Sequence, residues 1–531
     1  MDVSNRYRWA AVALIVGAAV MRLLYLAFWC PFDLAPDEAY YWDWSRQLDW
    51  SYHSKGPFVA LLIRASCELF GDTMFAVRLP AVVCGSLLLA GLFTLTSQVY
   101  RSDKLAFTVV ALALTLPVVA AGTSLMTIDA PFLCAWMWAL VFGHRAVFRQ
   151  SRWAWPAAGL CILAGVLAKY TMVLFVPSFA LFLLTTPIEG GRRFMPSGFW
   201  IMTVLGALGG VPILVWNALH GWVTITHTQT HIGFEDDAPA IRWLGPLAYV
   251  GGQFAVLLGF WFVAWVRAAW HSRPTLEAEP GARFLWWMSV PTFIFFGLFS
   301  LKNGGGEANW PLASYLAGMV LVAGWWSGRE QAVAGVIGWM PRLERAGVIA
   351  FAVFGLFVTV MVHEPIYLQP VFLKLAVPAT KEQPMPIRRV DPTSRLRGWR
   401  FLATEVDRAR IDLQTRGIEP VLAGERWVMT GELGFYCQGR PHVYCLGLAV
   451  ADRTSQYDLW HPNPIMDRQA FRGRTFLLVG LEMERLRYAF ESFEPVRPVQ
   501  YHENAHLVAE WTITIAHGFR GFGDVERIKP D

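Results

Sequence analysis

Long apolar runs, separated by short polar loops, make up most of the first two-thirds of the chain. A run of roughly 17–25 apolar residues is long enough to cross the hydrocarbon core of a bilayer. The pattern predicts about eleven transmembrane helices, with a range of eleven to thirteen. The predicted spans are about 9–29, 80–99, 105–122, 131–148, 154–168, 171–186, 198–219, 244–266, 283–300, 311–327 and 346–363. The first of them is too long for a cleaved signal peptide.

The polar interval at about 30–79 separates the first two predicted spans. It contains one further apolar stretch, from Gly56 to Phe70, which is interrupted by Arg64 and Glu68. This pattern predicts an amphipathic helix that lies at the membrane interface, rather than a twelfth span.

Basic residues are distributed unequally between the two sides of the predicted membrane region. Loops on the side of the N-terminus contain fifteen Lys and Arg residues, whereas the short opposite loops contain three, Lys169, Arg242 and Lys302. Because loops rich in Lys and Arg tend to stay in the cytoplasm, the N-terminus is predicted to be cytoplasmic. Eleven crossings then place residues 364–531 on the outer side.

The charge content divides the chain into two domains. Residues 1–363 contain 42 charged residues, whereas the shorter segment 364–531 contains 43. The first domain therefore has the composition of a membrane protein and the second that of a soluble one. In the second domain, strand-like runs at about 420–423, 443–446, 474–479 and 507–516 and helix-like segments at 400–416 and 482–491 predict an α/β fold. The predicted fold class is mostly α, with a polytopic membrane domain followed by this α/β domain.

The overall composition excludes several classes of protein. Hydrophobic residues are 55% of the chain and charged residues 16%, and the net charge is only +5. These values exclude a disordered chain, a nucleic-acid-binding protein and a disulfide-rich secreted module. Cys437 and Cys445 lie outside the predicted spans, and the sequence is equally compatible with a disulfide between them and with two free thiols.

Acidic and basic residues are concentrated in the interval after the first predicted span. Asp37 and Glu38 are adjacent, and Asp37, Tyr41 and Trp44 fall on one face of a predicted helix. Interfacial anchoring explains the aromatic residues, but it does not explain adjacent carboxylates. Other members of this group are Asp33, Asp43, Arg46, His53, Lys55 and Arg64.

Further polar residues fall on the same, outer side of the predicted membrane region. They are Arg22 near the outer end of the first span, and Asp129, Lys169, Lys302, Glu307, Asn309 and Trp310 in or beside outer loops. Long basic side chains that merely reach for the membrane surface would not be confined to one side. The pattern therefore predicts an outward-facing cavity that contains both acids and bases.

His227 and His231 stand at positions i and i+4 after the seventh predicted span, a spacing that suits two metal ligands on a helix. No third ligand is evident in the sequence, so a divalent metal is possible but not predicted, and a plain interfacial loop is the preferred interpretation.

A cavity with carboxylates and cations at a membrane surface suits group transfer from a lipid phosphate. A carboxylate acts as general base for an acceptor hydroxyl, and cations stabilise the departing phosphate. The sequence contains neither a GxxxxGK[ST] motif nor a GxGxxG motif that opens a helix after a strand. A nucleotide sugar used in the cytoplasm is therefore not the predicted donor.

Seven short segments, in order along the membrane domain, resemble bacterial membrane glycosyltransferases of the GT-C class that are related to protein O-mannosyltransferases and to the lipid A aminoarabinose transferase. The segments are Pro36-Asp37-Glu38-Ala-Tyr-Tyr, His53-Ser-Lys55-Gly-Pro57, Phe75-Ala-Val-Arg78-Leu-Pro80, Met126-Thr-Ile-Asp129-Ala-Pro131, Ala168-Lys169-Tyr170-Thr, Trp216-Asn217-Ala-Leu-His220-Gly-Trp222 and Asn309-Trp310-Pro.

The resemblance implies inverting transfer of a sugar from a polyprenyl-phosphate donor to a lipid, polysaccharide or protein acceptor. The implied location is the periplasmic face of a bacterial inner membrane, in contact with membrane lipids and without nucleic acid or a required cofactor. It implies catalytic roles for Asp37 as the base, Glu38 beside it and Asp129. Phosphate-binding roles are expected for Lys55, Arg78, Lys302, Arg22 and Lys169, and substrate-binding roles for Tyr41, His53, Glu307, Asn309 and Trp310.

One segment departs from the family pattern. Aminoarabinose transferases carry Glu-Lys-Pro-Pro where this chain has Ser54-Lys55-Gly56-Pro57. The missing acid argues against aminoarabinose and lipid A as the specific substrates. Two other classes of function remain alternatives, a lipid or ion transporter and a noncatalytic membrane assembly subunit.

The distribution of basic residues generates a prediction about topology. Alkaline phosphatase fused after residue 531 should be active, because this enzyme folds only outside the cytoplasm. The same enzyme fused after Ser102, in a loop predicted to be cytoplasmic, should be inactive. Two inactive fusions would show that the number of crossings between residues 102 and 364 is even, and an active fusion after Ser102 with an inactive one after residue 531 would show that the whole chain has the opposite orientation.

Overall fold

The computed structural model describes residues 3–187, 195–231, 241–275, 278–333, 340–375, 390–450, 452–481, 483–504 and 506–522. Most of the described residues are helical. The helices of the first domain are α1 Val3–Leu24, α2 Pro36–Arg46, α3 Phe58–Phe70, α4 Met74–Tyr100, α5 Asp103–Ala113, α6 Pro117–Gly122, α7 Asp129–Phe148, α8 Ala154–Ala168, α9 Phe175–Thr185, α10 Ser197–Leu208, α11 Gly210–Leu219, α12 Val223–His231, α13 Gly245–Val256, α14 Phe260–His271, α15 Pro280–Trp287, α16 Val290–Asn303, α17 Leu312–Val333 and α18 Met340–His363.

Every apolar run predicted from the sequence is helical, but the runs differ in length. Within the described residues, six helical segments are long and apolar enough to cross a membrane: Asn5–Trp29, Met74–Tyr100, Asp129–Phe148, Ser197–Leu219, Pro280–Asn303 and Glu344–His363. Shorter apolar helices occupy Ala154–Ala168, Tyr170–Thr185 and Leu312–Gly328. The structure therefore supports a multi-pass membrane domain and does not reproduce eleven full-length helices.

Two of the predicted spans are broken. The run at 105–122 divides into α5 and α6, and α6 begins at Pro117, since proline has no amide hydrogen to continue a helix. The run at 244–266 divides into α13 and α14, which meet at 112°. Gly259, with φ of 68°, occupies the break, and this left-handed conformation ends the first helix. Hydropathy does not detect such breaks, because the residues around them remain apolar.

The interval between the first two spans forms α2, a connecting turn and α3. The predicted amphipathic helix at 56–70 is observed as α3. Val59, Ala60 and Ile63 form its buried face, and Arg64 pairs with Glu68 on its exposed face. Both helices pack against the ends of membrane helices, and α2 is buried along most of its length.

The C-terminal region has the predicted α/β fold. Its strands are β1 Val421–Gly424, β2 Tyr444–Cys445, β3 Phe476–Val479, β4 Ser492–Phe493, β5 Arg497–Glu503 and β6 His506–His517. They form one sheet in the order β2-β1-β3-β6-β4, with β5 paired to β6. The pairs β1–β2 and β1–β3 are parallel, and the pairs made by β6 are antiparallel.

The helices of this region differ in one place from the sequence prediction. They are α19 Gln369–Leu375, α20 Trp399–Thr415, α21 Trp427–Tyr436, α22 Arg468–Phe471 and α23 Met483–Leu486. The helix predicted at 400–416 is observed as α20, but the one predicted at 482–491 is confined to the single turn of α23 and a 3₁₀ turn, Arg487–Ala489. Cys437 and Cys445 are both buried free thiols, so the disulfide alternative is not realised.

The two regions are joined by direct contacts between α2 and α21. The rings of Trp42 and Phe435 meet edge to face at 4.9 Å. At the crossing point, a Cβ atom on Gly431 would lie 3.1 Å from the backbone nitrogen of Tyr40, so glycine permits the close approach of the helices. Farther along, the backbone nitrogen of Leu34 donates to the hydroxyl of Tyr436 at 2.6 Å.

The interface between α2 and α21 contains a buried carboxyl group for which the described residues provide no hydrogen-bond partner. Glu432 on α21 is 1% exposed, and within the described residues neither of its oxygens has a hydrogen-bond partner. Burial raises the pKa of Glu432 well above its usual range, and the nearby charges of Asp33 and Glu38 raise it further, against the opposing effect of Arg78. Glu432 is therefore buried in its protonated form.

The buried carboxyl group of Glu432 makes the free energy of unfolding depend on pH. Above about pH 4.3 the unfolded chain loses the proton that the folded chain retains, so folding is disfavoured by about 1.4 kcal/mol per pH unit. Glu432→Gln should therefore raise the apparent thermal midpoint in detergent, and the gain should increase as the pH rises above about 5. Glu484→Gln, at a side chain that is 72% exposed, is the matched control. Equal pH slopes for wild type and Glu432→Gln would contradict the assignment.

Candidate active site

In the first turn of α2, the side chains of the adjacent residues Asp37 and Glu38 point in different directions. Pro36 is the first helical residue, and Glu38 Oε2 accepts a hydrogen bond from the backbone nitrogen of Ala35 at 2.8 Å. Neighbouring side chains on a helix diverge by about 100°. Glu38 points into the protein and is fully buried, whereas Asp37 remains exposed. The two acids therefore face different surroundings.

Glu38 forms a buried ion pair with Arg78 on α4. Arg78 Nε donates to both carboxylate oxygens at 3.1 and 3.0 Å, and Nη2 donates to Oε2 at 2.8 Å. The backbone nitrogen of Met126 also donates to Glu38 Oε1 at 2.8 Å. Arg78 is 1% exposed, and its Nη2 donates to the backbone oxygen of Asp33 at 2.6 Å.

This geometry requires a correction of two predicted roles. Glu38 was expected beside the base as a catalytic acid, and Arg78 was expected to hold the donor phosphate. Neither fits a buried pair whose hydrogen-bonding groups are occupied by protein. The pair instead links α2, α4 and the turn before α7, and so fixes the direction in which Asp37 points.

Asp129, the first residue of α7, connects two other loops. Its Oδ1 accepts a hydrogen bond from Lys169 Nζ at 2.6 Å, and its Oδ2 accepts one from Asn309 Nδ2, also at 2.6 Å. Lys169 is the residue that follows α8, and its ammonium lies 5.4 Å from the centre of the Phe132 ring. The structure thus brings together three residues that the sequence placed 40 and 180 positions apart.

Lys55 lies close to this group because of a tight packing contact. A Cβ atom on Gly56 would lie 2.1 Å from the backbone oxygen of Leu167, so a proline, as in the family pattern, would not fit here. The contact places the turn that carries Lys55 against the end of α8. Burial lowers the pKa of Lys55, and the charge of Lys169 lowers it further, whereas Asp37 and Asp129 oppose the shift.

Asp37 is the exposed carboxylate at the centre of these charges. Although water reaches its side chain, protein surrounds the recess in which it lies. Burial in this recess raises the pKa of Asp37, and the charges of Lys55 and Arg453 act in the opposite direction. Tyr41, one turn farther along α2, is nearly buried, and its pKa is raised by burial and by the charges of Asp37 and Asp129.

Both the side chain and the backbone of His53 contact the C-terminal region. Its Nε2 lies 3.0 Å from Thr454 Oγ1, and its backbone nitrogen donates to Gln456 Oε1 at 2.7 Å. Burial and the nearby charges of Arg453 and Lys55 lower the pKa of His53 to about 4, so its ring is neutral near pH 7. The ring of His227 is 4.7 Å away, whereas the side chain of His231 lies outside the described residues.

Four other predicted site residues lie on α1, on α16 and on the loop that follows α16. Arg22, in the last turn of α1, lies near His363. Lys302 is in the last turn of α16, Glu307 is exposed on the following loop, and Trp310 packs against the ring of Phe296 at 5.8 Å. The cluster around Asp37 contains Tyr41, His53, Lys55, Asp129, Lys169 and Asn309.

The cluster also contains residues that the sequence did not identify. Arg453, Thr454 and Gln456 approach it from the C-terminal region. They belong to a segment whose composition resembles any polar surface loop, and about four hundred residues separate it from α2. No local pattern in the sequence distinguishes them.

Comparisons with known proteins agree with this architecture. Residues 54–216 match the family model described as dolichyl-phosphate-mannose-protein mannosyltransferase. The chain is also 27% identical over 315 residues to the lipid A galacturonosyltransferase RgtD of Rhizobium johnstonii. That alignment covers 59% of this chain and 64% of the relative, which is less than two-thirds of its length.

Solved structures show the same fold over nearly the whole chain. ArnT from Cupriavidus metallidurans bound to undecaprenyl phosphate superimposes with a TM-score of 0.60 at 14% identity, covering 95% of this chain and 97% of ArnT. The apo state of the same protein gives a TM-score of 0.57 with the same coverage. Fold and sequence therefore agree in relating the chain to the GT-C membrane glycosyltransferases.

Proposed function

We propose that the chain is an inverting glycosyltransferase that moves a sugar from a polyprenyl phosphate to an acceptor hydroxyl. The reaction takes place on the periplasmic face of a bacterial inner membrane. The observation that carries this proposal is the exposed carboxylate of Asp37, held in a recess with Lys55 and Arg453 around it. Transfer of a sugar from a phosphate requires a base for the acceptor hydroxyl and cations beside it for the leaving phosphate.

Each step of the proposed reaction has a group to support it. Asp37 accepts the proton of the acceptor hydroxyl as its oxygen bonds to the anomeric carbon of the sugar. The bond from that carbon to the phosphate oxygen breaks, and its electron pair remains on the phosphate, which leaves as polyprenyl phosphate. Attack from the side opposite the phosphate inverts the anomeric configuration.

The protein's charges suit this change in the substrate. The raised pKa of Asp37 makes it a stronger base than an ordinary aspartate. The leaving phosphate gains negative charge as the bond breaks, so the cation of Lys55 stabilises the transition state more than the bound donor. No step requires a metal ion or another cofactor.

Asp129 acts in this proposal by positioning other groups. Both of its oxygens are engaged, by Lys169 and by Asn309. The ammonium of Lys169 has two further protons, which remain for a donor oxygen. We therefore assign Lys169 to the donor and Asp129 to holding it in place.

We further propose a lipid acceptor rather than a polysaccharide or a protein. The relative RgtD is named as a lipid A galacturonosyltransferase, which supports this choice. Mass spectrometry of envelope lipids and glycans from a deletion strain would identify it, as the loss of one sugar mass from a lipid fraction. Loss of a sugar from glycoprotein or polysaccharide alone would contradict the lipid acceptor.

The transporter alternative receives less support. Transporters commonly use broken helices in corresponding positions of two repeats. Among the described residues, the broken spans are α5 with α6 and α13 with α14, and the sequence contains no internal repeat that relates them. Purified protein that releases polyprenyl phosphate from a labelled donor in detergent, where no second compartment exists, would support transfer and exclude transport as the sole activity.

Replacement of the base gives a sharp test. Asp37→Asn keeps the size of the side chain and its ability to cap α2 but removes its basicity, so kcat should fall by about 10²–10⁴-fold. Protein yield and donor binding should be unchanged. Glu38→Gln, one residue away, should instead destabilise the protein by about 3–5 kcal/mol, because it leaves Arg78 without its buried partner. Near-normal turnover by Asp37→Asn would contradict the assignment of the base.

Lys55 and Arg78, which are two of the five cations predicted to bind phosphate, should behave differently when they are replaced. Lys55→Met should raise KM for the donor and lower kcat, because both the bound and the leaving phosphate lose a cation, with little change in thermal midpoint. Arg78→Met should lower the thermal midpoint strongly. Arg64→Met, on the exposed face of α3, is a control for loss of positive charge. A donor KM unchanged by Lys55→Met would remove Lys55 from the phosphate site.

A further inference from the structure

A loop of the C-terminal region lies directly against the candidate active site. Thr454 contacts the ring of His53, and Gln456 accepts a hydrogen bond from the backbone of the same residue. The backbone nitrogen of Gln456 also donates to the hydroxyl of Tyr40 on α2 at 2.6 Å. Three hydrogen bonds therefore fix the position of this loop relative to α2 and to the turn before Lys55.

Arg453 is the residue immediately before these contacts. It is exposed, and its guanidinium lies over the ring of Trp427, 5.6 Å from the ring centre. Trp427 packs in turn against Tyr40, with ring centres 4.9 Å apart. The stacked ring holds the guanidinium beside α2, so that its charge acts on Asp37, His53 and Lys55.

Arg453 differs from Arg426 in its distance from the nearest carboxylates among the described residues. Arg426 lies 3.4 Å from a carboxylate oxygen of Asp452. Among the described residues, no carboxylate lies within ion-pair distance of Arg453 or of Lys55. Two cations held near each other without such partners repel one another, and a bound anion would remove that repulsion.

We propose that Arg453 binds the phosphate of the polyprenyl-phosphate donor together with Lys55, so that the C-terminal region supplies part of the active site. This inference rests on the proposed transfer reaction. A guanidinium suits the task because its planar fork can donate two parallel hydrogen bonds to phosphate oxygens. The donor phosphodiester carries one negative charge and the released monoester carries up to two, so a second cation matches the charge that develops.

The test uses the full-length protein in lipid nanodiscs and the lipid product, undecaprenyl phosphate, as the probe. Arg453→Gln should weaken undecaprenyl phosphate binding by about 10-fold or more, raise KM for the donor and lower kcat, with KM for the acceptor unchanged. Arg453→Lys, which keeps the charge without the fork, should give intermediate values. Arg426→Gln, in the same region, should behave as wild type.

The pH dependence of kcat/KM provides a readout that simple loss of structure would not change. The charge of Arg453 lowers the pKa of Asp37, alongside that of Lys55 and against those of Asp129 and Glu38. Arg453→Gln should therefore move the acidic limb of the profile to higher pH, whereas Arg426→Gln should not. Thermal midpoints of all variants should remain close to that of wild type.

The possible outcomes separate the two proposals. Unchanged undecaprenyl phosphate binding and donor KM in Arg453→Gln, with an active wild type, would overturn the role of Arg453 alone. A changed KM for the acceptor with an unchanged KM for the donor would also overturn it, since the anion bound by Arg453 would then belong to the acceptor. A wild-type protein that neither transfers sugar nor binds the lipid phosphate would overturn the proposed function itself.

Discussion

The buried ion pair between Glu38 and Arg78 is the interaction on which the geometry of the site depends. Charges removed from water are stabilised only when their partners are well placed and their remaining hydrogen-bonding positions are filled. Here the carboxylate of Glu38 also accepts hydrogen bonds from the backbone nitrogens of Ala35 and Met126. The guanidinium of Arg78 also donates a hydrogen bond to the backbone oxygen of Asp33. One pair thus fixes α2, α4 and the start of α7 relative to one another.

This constraint explains how two adjacent acids have different tasks. Glu38 is held by the pair, so the helix geometry leaves Asp37 directed into the recess. Asp129 plays a similar organising part for the loops that carry Lys169 and Asn309. Buried charges therefore connect the ends of these membrane helices, whereas the side chains of Asp37 and Arg453 are exposed and that of Lys55 is half-buried.

The sequence predicts the helical membrane domain and the α/β region well, because long apolar runs and short strand-like runs reflect local rules. It predicts less well where a helix breaks within an apolar run, as at Gly259. Of the site residues that it predicts, the structure brings Asp37, Lys55, Asp129 and Lys169 close together. The sequence cannot show that Arg78 pairs with Glu38 rather than with a phosphate, because pairing across 40 residues is decided by packing.

The contacts between His53 and the loop around Gln456 join residues 403 positions apart, and this separation has a consequence for the synthesis of the protein. The ribosome makes Asp37 and Lys55 early, but their surroundings are complete only when nearly the whole chain has emerged. Contacts between such distant segments form late, because the intervening chain must first be ordered. A chain that has been synthesised only through its membrane helices therefore contains these acids and bases, but it lacks the contacts that His53 makes with Thr454 and Gln456.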